Sequence, residues 1–305
     1  MTSASSLTRV IDLLERRYPP STAEAWDAIG LVCGDPQAPV RRILWAVDPV
    51  EAVVDEAIDM GADLVITHHP LFLSGVHGVA ATTAKGRVVH RLISAGTALY
   101  CAHTNADVAD PGVSDALAAT IGLTRTRPVV QAQSDRGGFD VPPGQPDRGG
   151  LADPPGRTED PEGIATGLGR IGELEQPTTL ANFAARVADA LPPTRHGVRV
   201  AGDLGRRVHR VAVCGGSGDS LLAIATDMGA DVLVTADLKH HRALEHLEEG
   251  GCAIIDVAHW ASEWPWLEQA AQLLDSDLAR EGTTVVSVVS AQPTDPWSMT
   301  LRSEP

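Results

Sequence analysis

The sequence predicts an α/β protein of two pseudo-equivalent lobes produced by an internal duplication. Three observations predict it. RRILWAVDPVEAVVDEAIDMGADLVITHHP (41–70) aligns without gaps to HRVAVCGGSGDSLLAIATDMGADVLVTADL (209–238), at an offset of 168 residues and with DMGAD identical. Each copy reads as strand, loop, helix, glycine turn, strand. A further apolar strand follows in each half, TALYCAH (97–103) and CAIIDVAH (252–259), and both close on Ala-His. Strands alternating with helices specify a parallel sheet with helices packed against it. The same order met twice in one chain is the signature of a repeated unit.

Taken in order, the elements support this reading. Val50, Val53, Val54, Ala57 and Ile58 recur at helical spacing, and Gly61 ends that helix. DLVIT is a short apolar run of the kind buried on both faces of a parallel sheet. It stops at His68, His69 and Pro70, where the proline prevents the next residue from continuing a ladder. Residues 131–163 hold 13 Gly or Pro in 33 positions, and DRGG occurs there twice. Such a stretch buries too little apolar surface to offset its ordering entropy and reads as a disordered linker or insertion. The expected organisation is a first lobe over 1–130, this segment over 131–163, a second lobe over 164–290 and a tail over 291–305.

Composition narrows the function. The 305 residues are 43% apolar, enough for a sizeable core, and carry 40 acidic against 24 basic side chains, a net charge of −16. That balance repels nucleic-acid backbones and anionic membranes as main partners. The N-terminal stretch carries Arg9, Glu15, Arg16 and Arg17 instead of a signal peptide's apolar core. No run approaches the roughly 18 apolar residues of a spanning helix. Cys33, Cys101, Cys214 and Cys252 are widely scattered and read as reduced core thiols. A cytoplasmic location is the expectation.

Open α/β sheets bind ligands beyond the carboxyl ends of their strands. The strand ends here give His68 and His69, then His103 and Asp107 in HTNAD, then Asp237, His240 and His241 in TADLKHH, and finally Asp256, His259 and Glu263 in DVAHWASE. Imidazoles and carboxylates gather at these ends while cysteines stay inside strands. That donor set suits zinc, manganese, iron or cobalt in a reactive site better than a structural thiolate zinc. Adjacent residues of a strand point to opposite faces, so His68 and His69 serve two neighbouring ions most comfortably, one each. Glu263 follows His259 by four, but Ser262 reads as an N-cap and Pro265 as a first-turn residue, which predicts a helix starting at Glu263.

ITHHP, HTNAD, GLGRIG (167–172), GGSG (215–218), AHWASE and WDAIGL (26–31) together resemble the motif set of the GTP cyclohydrolase I type 2 homologue family, the Nif-three-like dinuclear metal proteins. The motifs keep the family's order and span nearly the whole chain outside 131–163. The resemblance implies two α/β lobes with a two-metal site between them, holding two divalent ions per chain, and a ring-shaped homohexamer. It assigns His69 and Asp107 to one ion, His68 and His259 to the other, and Glu263 as the bridge. His103, Asp27 and Asp237 are expected beside the site, orienting ligands or lining the pocket. Ala28 stands where the family has Asn. Some members carry a folded domain between the halves, for which the Gly/Pro-rich stretch is too short and polar.

GLGRIG has dinucleotide spacing but no helix after it, so it is not a dinucleotide fingerprint. Gly215, Gly216, Ser217 and Gly218 lie between a strand and a helix, where amides can cradle an anion or simply make a tight packing turn. The function implied is a metal-dependent hydrolase acting through a metal-bridging water or hydroxide on a small molecule or nucleotide. The alternative is a non-enzymatic ring that stores, delivers or scaffolds metal.

Overall fold

The computed structural model of the chain describes residues 4–132 and 166–301. It begins with β1 (Ser5–Ser6) and α1 (Leu7–Arg17), whose first turn is capped by the Ser6 hydroxyl accepting from the Arg9 amide. β2 (Gly30–Cys33), β3 (Pro39–Val40), β4 (Arg42–Ala46), α2 (Glu51–Asp59), β5 (Leu64–Thr67), α3 (Ala84–Ala95), β6 (Ala98–Cys101), α4 (Thr104–Val108), α5 (Val113–Thr120) and β7 (Leu123–Gln131) follow. From residue 166 onward come β8 (Gly167–Thr179), α6 (Leu180–Ala190), β9 (Arg199–Ala201), β10 (Arg207–Ser217), α7 (Leu222–Asp227), β11 (Val232–Ala236), α8 (His240–Glu248), β12 (Ala253–Val257), α9 (His259–Arg280) and β13 (Val286–Val289). Apart from Gln131 and Ala132, the Gly/Pro-rich stretch lies outside the described residues.

The result is a mixed α/β fold. One sheet has the order β13-β4-β5-β6-β2, parallel except for β2. A second has the order β7-β8-β10-β11-β12-β9, with β10, β11 and β12 parallel and the rest antiparallel, and β1 and β3 pair as a small antiparallel ribbon. Alternation along the central strands explains why both of their faces are apolar. Ile43, Trp45, Leu64 and Ile66 join Val211, Val213, Val232 and Val234 in one central core, which also takes in Trp266, Leu267 and Leu274 of α9. Leu44, Ala46 and Val65 face outward under α2 and α3, and Ala212, Cys214 and Leu233 under α7. The four cysteines are free thiols, with Cys101, Cys214 and Cys252 buried.

The two parallel cores match in detail. Ile43 pairs with Leu64 and Val211 with Val232, the same register 168 residues apart. The Asp63 carboxylate accepts the amides of Arg41 and Arg42 at 2.7 and 2.9 Å, and Asp231 accepts those of His209 and Arg210, both at 2.8 Å. Gly61 and Gly229 turn the backbone at corresponding positions with φ +65° and +74°.

Sheet membership departs from the boundaries read from sequence. Residues 286–289, grouped there with the second lobe, pair as β13 with β4 of the first sheet. β7, grouped with the first lobe, pairs with β8 in the second sheet. The composition break between 131 and 163 marks where the chain loses apolar content, whereas strand pairing follows the strands that flank it.

Candidate metal centre

The candidate centre is assembled from strand ends and one helix start. The ladder of β5 carries on to His68, whose amide reaches Ala46 at 3.2 Å, and to His69, whose amide reaches Val47 at 2.8 Å. His68 is fully buried, and its Nδ1 donates to the Ala102 carbonyl at 3.0 Å. A carbonyl only accepts, so this bond fixes the proton on Nδ1 and leaves Nε2 facing inward. His69 repeats the arrangement with a carboxylate, Nδ1 donating to Asp48 Oδ1 at 2.7 Å. His103, just beyond β6, gives Nδ1 to Asp27 Oδ1 at 2.9 Å. Asp27 is pinned in turn by the Thr104 amide at 3.0 Å and the Thr104 hydroxyl at 2.5 Å. Asp107 stands in the first turn of α4, 3.6 Å from His68 Nε2.

The helix start corrects the sequence reading. α9 begins at His259, not at Glu263, so the two do share a helical face, with Nε2 and Oε1 2.9 Å apart. Ser262 is no cap: its hydroxyl donates to the His259 carbonyl and accepts the Gly216 amide. Pro265 lies inside the helix, where it forfeits one hydrogen bond at a cost of about 3 kcal/mol in an isolated helix. Buried Trp266, Leu267, Ala270 and Leu274 pack the helix into the central core, and that packing outweighs the local breaker. His259 Nδ1 donates to Asp237 Oδ2 at 2.6 Å. Asp237 holds this position with φ +59°, a left-handed conformation that only a short polar residue or glycine adopts readily.

All four imidazoles therefore anchor Nδ1 on an oxygen, and His68, His69 and His259 turn Nε2 toward Glu263, which is 3% exposed. His69 Nε2 lies 3.2 Å from His259 Nε2, and His68 Nε2 lies 3.4 Å from Glu263 Oε1. Glu263 Oε2 sits 3.1 Å from His69 Nε2 without the alignment of a hydrogen bond, and it and His68 Nε2 are buried with no hydrogen-bond partner. Among the described residues, two groups have mutual donor distances within 4.8 Å: His68, His69 and His103, and His69, His259 and Glu263. His103, which the sequence reading set beside the site, thus stands at ligand range. His259 lies against His69, and Asp107 against His68.

Charge follows from this crowding. Burial pushes His69 down, but Glu263 and Asp48 overcome it and hold it at about 11. His259 reaches about 10 against its own burial through Glu263 and Asp237. His68 is raised against full burial by Glu263 and Asp107. Glu263, despite burial, is held well below the usual carboxylate range by His69 and His259. Burial raises Asp107. The cavity strongly favours positive charge.

Other sequence candidates fall outside the cluster. The amides of Gly215 and Gly216 are taken by the hydroxyls of Ser114 and Ser262. Gly216 has φ +67°, and a Cβ there would meet Glu263 Oε1 at 2.6 Å, so the glycine gives His259 and Glu263 their room. Ser217 ends β10, and Gly218 precedes a 3-10 turn. GLGRIG opens antiparallel β8, where buried Arg170 is saturated by Asp115 and the carbonyls of Ala109, Gly167 and Gly169. His240 and His241 are exposed at the start of α8. Asp256 pairs with Arg199. Asp48 is the residue sequence reasoning missed; its only signal is its place at the carboxyl end of β4.

A family model described as Duf34/NIF3 (NGG1p interacting factor 3) matches residues 5–296. A Streptomyces coelicolor protein named GTP cyclohydrolase 1 type 2 homolog is 48% identical over 299 residues, covering 98% of this chain and 96% of its own. The crystal structure of a Bacillus cereus protein related to NIF3 superposes with a TM-score of 0.82 at 27% identity, over 97% of this chain and 100% of its own. A Staphylococcus aureus hypothetical protein superposes with a TM-score of 0.81 at 29% identity, over 97% and 99%. With its motifs, its fold and nearly its whole length accounted for, the chain belongs to the Duf34/NIF3 family.

Proposed function

We propose that the protein is a dinuclear divalent-metal hydrolase, built by internal duplication, with its centre between the two sheets. One observation carries the reading: three histidines with Nδ1 anchored on oxygen converge their Nε2 atoms on a buried carboxylate, and a fourth, His103, stands at ligand range of two of them. Anchoring Nδ1 on a carbonyl or carboxylate is the way proteins orient metal-ligating histidines. The residues fit a pair of cations, because His68 Nε2 and Glu263 Oε2 are otherwise orphaned in a buried space. His69, His259 and Glu263 would hold one ion. His68 and Asp107, with Glu263 between and His103 alongside, would hold the second. Nitrogen and carboxylate donors without thiolate suit zinc, manganese, iron or cobalt. Bound there, such a pair supplies Lewis acidity and activates water for hydrolysis.

The chain's own residues do the rest. Asp48, Asp237, Asp27 and the Ala102 carbonyl hold the imidazole tautomers, and Gly216 keeps space beside Glu263. The shared strand register and the matched Asp63 and Asp231 brackets support the duplication. A homohexameric ring and a cytoplasmic location belong to the same proposal. No helix among the described residues is long and apolar enough to cross a membrane.

The test is a hydrolysis screen of protein loaded with zinc, manganese, iron or cobalt, with GTP included because of the name its relatives carry. Turnover that disappears in Glu263→Gln while the near-UV spectrum is kept supports the proposal. Turnover unchanged in that variant overturns it.

A further inference from the structure

Beside His69 lies a cavity of about 600 Å³, a volume in the usual range for a small-molecule site. It opens between the loop after β4, the His69-Pro70-Leu71 turn after β5, and the first turn of α3. This is the carboxyl edge of a parallel sheet, where α/β folds bind ligands. Nothing in the proposed metal chemistry uses it.

Its walls are mostly apolar: Pro49, Val50, Pro70, Leu71 and Val88. Its two carboxylates are already engaged. Asp48 holds His69 through one oxygen and the Thr294 hydroxyl through the other, and both oxygens of Glu51 accept from Arg87. Apart from His69, which Asp48 already pairs, the remaining charge is Lys85, whose ammonium stands 5.9 Å from the Phe72 ring centroid, with no carboxylate among the described residues paired to it. The wall also includes the start of α2, where Val50 has no side-chain oxygen to cap the first turn. Uncapped first-turn amides and a nearby ammonium both favour negative charge.

We infer that this cavity binds the apolar body of an organic anion, with its anionic group between Lys85 and the first turn of α2. Its position against His69 makes it the recognition pocket for a substrate of the proposed centre, so that role rests on the metal-hydrolase reading. The substrate class is then an apolar molecule carrying one carboxylate, sulfonate or phosphate remote from the bond that is cut.

The test uses full-length protein and two fluorescent probes of nearly one shape, anionic 8-anilinonaphthalene-1-sulfonate and neutral N-phenyl-1-naphthylamine. The anionic probe is expected to bind at one site per chain and more tightly than the neutral one. Ala52→Trp and Ala84→Trp, at exposed positions on the wall, are each expected to weaken both probes about tenfold by filling the space. Lys85→Glu is expected to weaken the anionic probe about fivefold and to leave the neutral one unchanged. With cobalt(II) loaded, probe saturation is expected to shift the visible absorption of the metal. Wild-type affinity in both tryptophan variants, or equal affinity for the two probes, overturns the inference. Probe binding with this variant pattern in a protein that takes up no cobalt leaves the pocket standing and removes the metal reading; cobalt uptake without the pattern does the reverse.

Discussion

The turns that follow β5 and β11 stand at corresponding positions, and they do opposite work. At the first, His68 and His69 turn toward Glu263 as candidate ligands, and Asp48 at the end of the neighbouring strand braces His69. At the second, the counterpart of His69 is Asp237, which braces His259, and the counterpart of Asp48 is Gly216, which leaves room for Glu263. The frameworks beneath are alike down to the aspartate that ties two backbone amides in each. Backbone amides at the foot of a buried strand must be satisfied in any copy of the unit. Strand ends carry no such obligation, and there the two halves differ, as the proposed duplication allows, in ways that complement each other around Glu263.

The largest expected effect comes from removing the group both halves converge on. Glu263→Gln takes the shared charge from three imidazoles, and metal affinity should fall by more than about 100-fold, beyond the usual loss for an outer partner. Titration calorimetry with zinc reads this. Asp48→Asn and Asp237→Asn test the braces, one from each half, and each should cost about 10- to 100-fold in affinity. A loss confined to one of them would mean that the two halves do not contribute alike.

The third expectation concerns pH. His69 and His259 are raised from the ordinary value of 6.5 to about 11 and about 10. The metal-free fold therefore keeps protons that the unfolded chain releases, a stabilisation complete below about 6.5 and lost as pH rises through 10 to 11. Bound ions displace those protons, so the midpoint difference between loaded and metal-free protein should widen from pH 6.5 to 10. A thermal melt series at several pH values measures it. The smallest effects test the framework itself: Asp63→Ala and Asp231→Ala should each cost about 1–3 kcal/mol. Chemical denaturation should find the two losses within about 0.5 kcal/mol of each other.

The α/β class was legible because buried parallel strands alternate with amphipathic helices, and the 168-residue offset read from the sequence recurs as strand register. His68, His69, Asp107, His259 and Glu263 stood out as candidates because strand ends collect chemistry in α/β sheets, and the fold brings the five side chains together. The start of α9 was misread: Ser262 and Pro265 are strong local signals, and the tryptophan-rich face that overrides them is a tertiary effect. Asp48 went unseen because a brace needs only one carboxylate within reach, with no spacing to betray it. His103 was expected beside the site, and the fold sets it at ligand range of His68 and His69. Its position beyond β6 was visible, but its distance from His68 and His69 depends on how two neighbouring strands end together.

The central claim is that this convergence holds a pair of cations, and the direct measurement is elemental analysis of untagged protein after incubation with zinc, manganese, iron or cobalt and gel filtration. The expected result is two divalent ions per wild-type chain, with marked loss in Glu263→Gln. Folded wild-type protein that emerges with no bound ion from every one of these metals would contradict the account.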